Sequence, residues 1–299
     1  MRPSPVLMVP IVLLMAGSGS EHQPTTPEDT TLRQNARAAD MAISLERPEE
    51  AAIQYERALE RAQARDDATA IGDYGYDLAV AQLAANHPKQ ALTSVRMTRA
   101  ELALRGSASF PALDLAEASA LYRIGQKEAS DLMATRVEAG ADSVAAARAS
   151  FLRGLIADET GDAVGLDTAL AHLAQPASTD QQADADELLA RRDLRQGAFD
   201  AATAEAERAA NLRRTILDYR DMARALSVAA DAENRAGNEL KAAAFYMRAG
   251  QSAAAQNDTD MARLWLRLAT EIGNNPLLRE AARHALAALN KTSSPLDSQ

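Results

Sequence analysis

The stretch Gly154-Leu-Ile-Ala-Asp-Glu-Thr-Gly161-Asp-Ala-Val-Gly165 decides the fold. A small residue is followed seven positions later by a glycine and four positions after that by another small residue. The same pattern occurs 36 residues earlier as Ala118…Gly125…Ala129, and 36 residues later as Ala190…Gly197…Ala201. Each central glycine interrupts a helical pattern, where it can take the left-handed conformation that ends one helix and lets the next begin. Small residues on either side let the two helices cross closely.

Outward from this core, Ala51-x3-Tyr55-x2-Ala58 and Ala242-x3-Tyr246-x2-Ala249 place one aromatic between small residues. Ala79, Ala91 and Val95 fit the same frame more loosely. Breaks near 46–48, 86–88, 125, 161, 197, 237 and 273–276 give about six or seven helical hairpins. Asn86-His-Pro88 and Gly273-Asn-Asn-Pro276 are the strongest turn signals among them. Near the C-terminus a competing register appears, in which Gly250 precedes Ala262-x3-Leu266-x2-Ala269 by twelve residues.

Composition agrees with stacked helices. Of 299 residues 47% are hydrophobic but only 4% aromatic, and alanine, the best helix former, supplies much of the apolar content. β-branched runs with period-two alternation are missing.

These spacings resemble the tetratricopeptide repeat over roughly residues 32–290, although some intervals reach 40 residues and the family's Trp and proline positions are mostly vacant. The resemblance implies an all-α, right-handed superhelical solenoid whose concave face binds peptides or partner helices. In that family the first helix of each hairpin lines the groove. The frame places Arg33 and Asp40 there, then Tyr76, Val80 and Leu83, then Leu115, Ser119 and Tyr122. Phe151, Leu155 and Asp158 follow, with Glu187, Arg191, Arg224, Asp231 and Asn234 toward the C-terminal end. Apolar and aromatic residues occupy the middle of this set and charged ones its C-terminal third, which suits an amphipathic helix or an extended segment. Aromatics at helical spacing, here Tyr76, Tyr122 and Phe151, are more often core than binding anchors. Tyr76 and Val80 replace two residues of the carboxylate clamp found in chaperone-binding members.

The N-terminus reads as an export signal. Arg2 precedes the eleven-residue apolar run Val6-Leu-Met-Val-Pro-Ile-Val-Leu-Leu-Met-Ala16, and Gly17-Ser-Gly-Ser20 follows. The run is too short for a bilayer span, which needs about 20 apolar residues. Met15-Ala-Gly-Ser18 resembles a bacterial lipoprotein processing site with serine in the position of the lipidated cysteine. The mature chain is then either a cleaved periplasmic protein or a form in which Ser18 replaces a cysteine. Residues 1–20 are read as the signal, 21–31 as a polar tether and 291–299 as a tail.

Chemistry finds little support. The chain has no cysteine, which removes disulfides, thiol nucleophiles and thiolate metal sites. His22, His87, His172 and His284 are scattered without metal-ligand spacing, and no phosphate-binding loop or nucleophile elbow occurs. Asp66-Asp67, Glu49-Glu50 and Asp158-Glu159 read as helix caps or solvated faces. A net charge of −10 opposes nucleic-acid binding. No cofactor is expected. The sequence therefore suggests a non-catalytic scaffold for another envelope protein or peptide, exported to the periplasm or outer membrane, with membrane proximity through its N-terminus. A chaperone for unfolded clients and a helical subunit of a cell-wall enzyme are the alternatives. The oligomeric state is left open.

Overall fold

A computed structural model describes residues 29–107, 110–272 and 274–292. The signal, most of the tether and all but the first two residues of the tail fall outside the described residues. Among the described residues there are fourteen helices and no strand. They form seven antiparallel hairpins: α1 (Thr30–Ser44) with α2 (Pro48–Ala64), α3 (Ala68–Ala84) with α4 (Pro88–Leu104), and α5 (Pro111–Arg123) with α6 (Lys127–Glu138). The series continues with α7 (Ser143–Thr160) and α8 (Ala163–His172), α9 (Thr179–Gln196) and α10 (Phe199–Thr215), α11 (Tyr219–Arg235) and α12 (Glu239–Ala255), and α13 (Thr259–Ile272) and α14 (Pro276–Thr292). The solenoid body thus extends two residues beyond the expected 32–290 at each end. None of the described helices is long and apolar enough to cross a membrane.

Local chemistry sets the helix ends. Asp29, Asp67, Asp142, Asp162 and Ser178 accept hydrogen bonds from first-turn N–H groups, and prolines open α2, α4 and α5. Gly161 and Gly197, the turn glycines of the 36-residue pattern, stand at φ +82° and +80°. Left-handed backbone of this kind carries no steric cost for glycine.

The hairpins are tied by alanines and a few large residues. Ala51, Ala58, Ala242 and Ala249 are completely buried, with Tyr55 and Tyr246 packed between them. At Gly154 a side chain has no room, since a Cβ would stand 2.4 Å from Leu188 Cδ1 on the next hairpin.

The odd-numbered helices form an inner layer in which α3 packs on α5, α5 on α7, α7 on α9 and α9 on α11. At the C-terminal end the packing shifts, and α12 lies directly on α14. Gly250 of α12 faces Leu266 of α13, where a Cβ would stand 2.6 Å from Leu266 Cγ. Both registers legible in the sequence therefore exist, because α12 uses one face for its hairpin with α11 and another for α13.

The superhelix curves tightly enough to touch itself. Arg220, at the start of α11, donates to the Ala84 carbonyl and the Asn86 side chain at the end of α3, at 3.2 and 3.1 Å. On its own side it pairs with Asp258 at 2.9 Å. Beside it Asn257 donates to Glu49 at 3.2 Å, across 208 residues of sequence.

Candidate functional site

The candidate groove residues do lie on the first helix of each hairpin, but they divide into three groups. Tyr76, Val80, Leu83 and Leu115, on α3 and α5, are the accessible apolar group: Val80 is 39% exposed and the others are half-buried. Phe151 and Leu155 of α7 are buried, at 3% and 2% exposure, so they pack between inner helices and present no anchor on an open surface. The charged members are tied to one another.

That third group forms a continuous ladder along the inner layer. Asp158 of α7 holds Arg191 of α9 at 2.9 Å and also pairs with Arg195. Arg191 reaches Glu187 at 2.9 Å, and Glu187 meets Arg224 of α11 at 2.7 Å. Arg224 then bonds Asp221 at 2.6 Å. Arg148 of α7 lies 2.9 Å from Asp184 and 3.5 Å from Asp221. Arg213 of α10 is completely buried and pairs with Asp180, Asp184, Asp218 and Asp221. The guanidinium carbons of Arg148, Arg213 and Arg224 all stand between 5.1 and 5.8 Å from the centroid of the Phe151 ring, within cation–π range.

The ladder's charges are set by its arginines. Burial works against the ionised forms of Asp221 and Glu187, yet the arginines outweigh it. Arg224, Arg148 and Arg213 hold the Asp221 carboxyl well below the usual carboxylate range, and Arg224 with Arg191 lower Glu187. Other carboxylates move the other way: burial pushes Asp184 up to about 7 against the pull of Arg148 and Arg213. Burial and the neighbouring Asp221 charge push Asp218 up to about 6. Burial, Asp40 and Asp73 push Asp77 of α3 up to about 6.

Asp40 and Asp231, placed in the groove by sequence, are engaged within their own hairpins by Tyr55 and Tyr246. Asp158 and Glu159 are neither caps nor free surface charges, since Glu159 accepts from Tyr122 at 2.5 Å and pairs with Lys127 at 2.7 Å. Asp67 does cap α3 as read.

Serine, histidine and a carboxylate do meet at one point. Ser150 and Glu138 both address Nδ1 of His172, at 3.3 and 2.6 Å, and Ser150 is 1% exposed. A proton relay needs the serine and the acid on opposite ring nitrogens, so this arrangement is not a nucleophilic triad.

Between α3, α5, α7 and the start of α11 lies a cavity of about 470 Å³. It includes eight of the sequence-predicted residues, among them Val80, Leu83, Leu115 and Tyr122, and others that the repeat frame does not reach, including the four residues Arg123, Leu217, Tyr219 and Arg220. These four sit at helix ends and in the turn before α11, outside the groove positions the frame supplies.

No family model and no curated protein matches the chain. Among solved structures it is similar to a tetratricopeptide repeat protein from Parabacteroides merdae, with 14% identity, a TM-score of 0.50, and coverage of 88% of this chain and 100% of that one. It is also matched to the TPR2AB domain of yeast Sti1 in complex with pHSP90, at 15% identity and a TM-score of 0.34, covering 88% of this chain and 98% of that one. The first likeness, with the seven stacked hairpins, makes the fold a tetratricopeptide-type solenoid.

Proposed function

We propose that the protein is a non-catalytic scaffold of the bacterial cell envelope that holds a partner helix or extended segment against the inner ends of α3 and α5. The observation that carries this reading is the strip formed by Tyr76, Val80, Leu83 and Leu115. It is apolar, it lies on the inner layer, and Val80 is 39% exposed within it. The charged rungs from Asp158 to Arg224 satisfy one another, so apolar contact at this strip is the surface left for a partner. The layout of residues 1–20, read as an export signal, supports the envelope setting.

A photo-crosslinking residue at Val80, compared with one at Leu104 on α4, tests the reading in cells. One envelope protein captured at Val80 and not at Leu104, and lost in a folded Val80→Asp variant, is the expected result. Equal labelling at the two positions, or retention of the whole chain in the cytoplasm with an uncleaved N-terminus, would sink it.

A further inference from the structure

The cavity between α3, α5, α7 and α11 is electrostatically incomplete at one point. Four arginines line it: Arg123, Arg148, Arg220 and Arg224. Arg148 and Arg224 are matched by Asp184, Glu187 and Asp221, and Arg220 by Asp258. Asp218, the other acid in the wall, pairs with Arg213. Arg123 has no such partner. Among the described residues its one hydrogen bond goes to the Leu83 carbonyl, and no carboxylate lies within ion-pair distance. Burial first, and the nearby Arg220 second, lower this guanidinium to about 10, outweighing the more distant Asp221 and Asp258, neither within ion-pair distance.

The rest of the wall is mostly apolar, with Val80, Leu115 and Leu217 prominent, and Ser119, Tyr122, Tyr219 and Gln256 are its uncharged polar residues. Leu217 carries a second signal. It occupies the turn before α11 with φ +61°, a conformation otherwise adopted by glycine, Asn, Asp and Glu in this chain's turns. A leucine there is strained, and it is 59% exposed beside the cavity. A bulky apolar residue kept in a strained turn and facing a cavity points to a ligand contact.

We propose that this cavity binds a small amphipathic carboxylic acid, an aliphatic chain ending in one carboxylate, with Arg123 as headgroup partner and Val80, Leu115 and Leu217 around the chain. The volume lies in the range of sites for such molecules, and one unmatched cation calls for one negative charge. The ligand is distinct from the protein partner proposed above, but it shares Val80 and Leu115 with that strip, so the two would compete for one region.

Isothermal titration of the full chain with decanoate, decan-1-ol and decyltrimethylammonium tests it. Decanoate binds saturably at one site, decanol about tenfold or more weaker, and the ammonium compound not at all. Arg123→Gln weakens decanoate about tenfold. Leu217→Asn, whose side chain tolerates the left-handed turn, keeps or raises the thermal midpoint while weakening decanoate. Decanoate binding no tighter than decanol overturns the proposal on the wild-type chain alone, whatever the folding of the variants. Wild-type affinity in both folded variants overturns it as well. So does binding of a short peptide with a C-terminal leucine when decanoate does not bind.

Discussion

Tyr246 donates its hydroxyl to the Asp231 carboxylate, fifteen residues before it, and Tyr55 makes the same bond to Asp40 across the same fifteen-residue separation, at 2.7 Å. In each case a second-helix tyrosine reaches back to a first-helix aspartate, so the bond clamps one hairpin shut. Its recurrence in the first and sixth hairpins makes it part of the repeat, although the repeat spacing exposes only the tyrosine.

Removing that hydroxyl while keeping the ring isolates its worth. Tyr246→Phe is expected to lower stability by about 1–3 kcal/mol, as for a hydrogen bond to a charged group. Chemical denaturation of Tyr246→Phe, Asp231→Asn and the double variant checks this. Additive single effects would show that the two residues do not interact.

Gly154 allows a sign test of close packing. Alanine at an exposed helix position is favoured over glycine by about 1 kcal/mol. Here the new methyl would stand 2.4 Å from Leu188 Cδ1, and overpacking of this kind costs about 1–3 kcal/mol. Gly154→Ala therefore lowers the thermal midpoint, and its cost is smaller in a Leu188→Ala background than in the wild-type chain. A midpoint raised by the single substitution would contradict the packing described.

The charged ladder predicts a large asymmetry between breaking and replacing. Asp221→Asn leaves Arg224, Arg148 and Arg213 facing a neutral group and is expected to cost about 3–5 kcal/mol. Arg47→Ala, which removes an exposed pair with Glu50, is expected to cost under about 1 kcal/mol. Thermal unfolding of both variants under identical conditions checks the contrast.

Stability against pH follows from two opposing sets. Asp77 and Asp218 have folded values near 6 and Asp184 near 7, above their unfolded values, so they bind protons more readily when folded. Their contribution is fully present below about pH 4 and is lost as pH rises through 6 and, for Asp184, through 7. Asp221 and Glu187 are lowered on folding, so the stability they contribute is present above the unfolded carboxylate range and lost as pH falls below about 4. The thermal midpoint should therefore rise from pH 7 toward 5 and fall again below about 4. Asp77→Asn raises the midpoint at pH 7 and flattens its change between 6 and 4. An unaltered profile in that variant would remove Asp77 from the account.

The turns of this fold were legible because their causes are local. A glycine at 125, 161 or 197 and the Asn86-His-Pro88 signal end a helix wherever the rest of the chain goes. The split of the groove into an accessible strip and a charged ladder was not legible, because it depends on curvature. Arg224 and Glu187 meet only when α9 and α11 lie side by side, and Arg213 enters the ladder from a second helix, a position the groove frame does not count. Arg123 and Leu217 depend on a still longer relation, since their cavity exists only because the start of α11 returns to the end of α3. Phe151 shows the limit from the other side. Its helical spacing fits a core residue better than an anchor, and its 3% exposure agrees with that reading.

The contacts of Arg220 with Ala84 and Asn86, and of Asn257 with Glu49, also change how this chain should lose its structure. A stack in which each hairpin touches only its neighbours can fray from either end and melt piecewise. Here the first and second hairpins are bonded to the segments around α11 and the α12–α13 turn. Unravelling the N-terminal hairpins therefore withdraws support from the C-terminal ones. Such sequence-distant pairings slow folding, because a long loop must be closed before they form. They also join the two ends into one cooperative unit, so deletion of α1 and α2 should loosen helices more than 150 residues away in hydrogen exchange, where an open stack would leave them untouched.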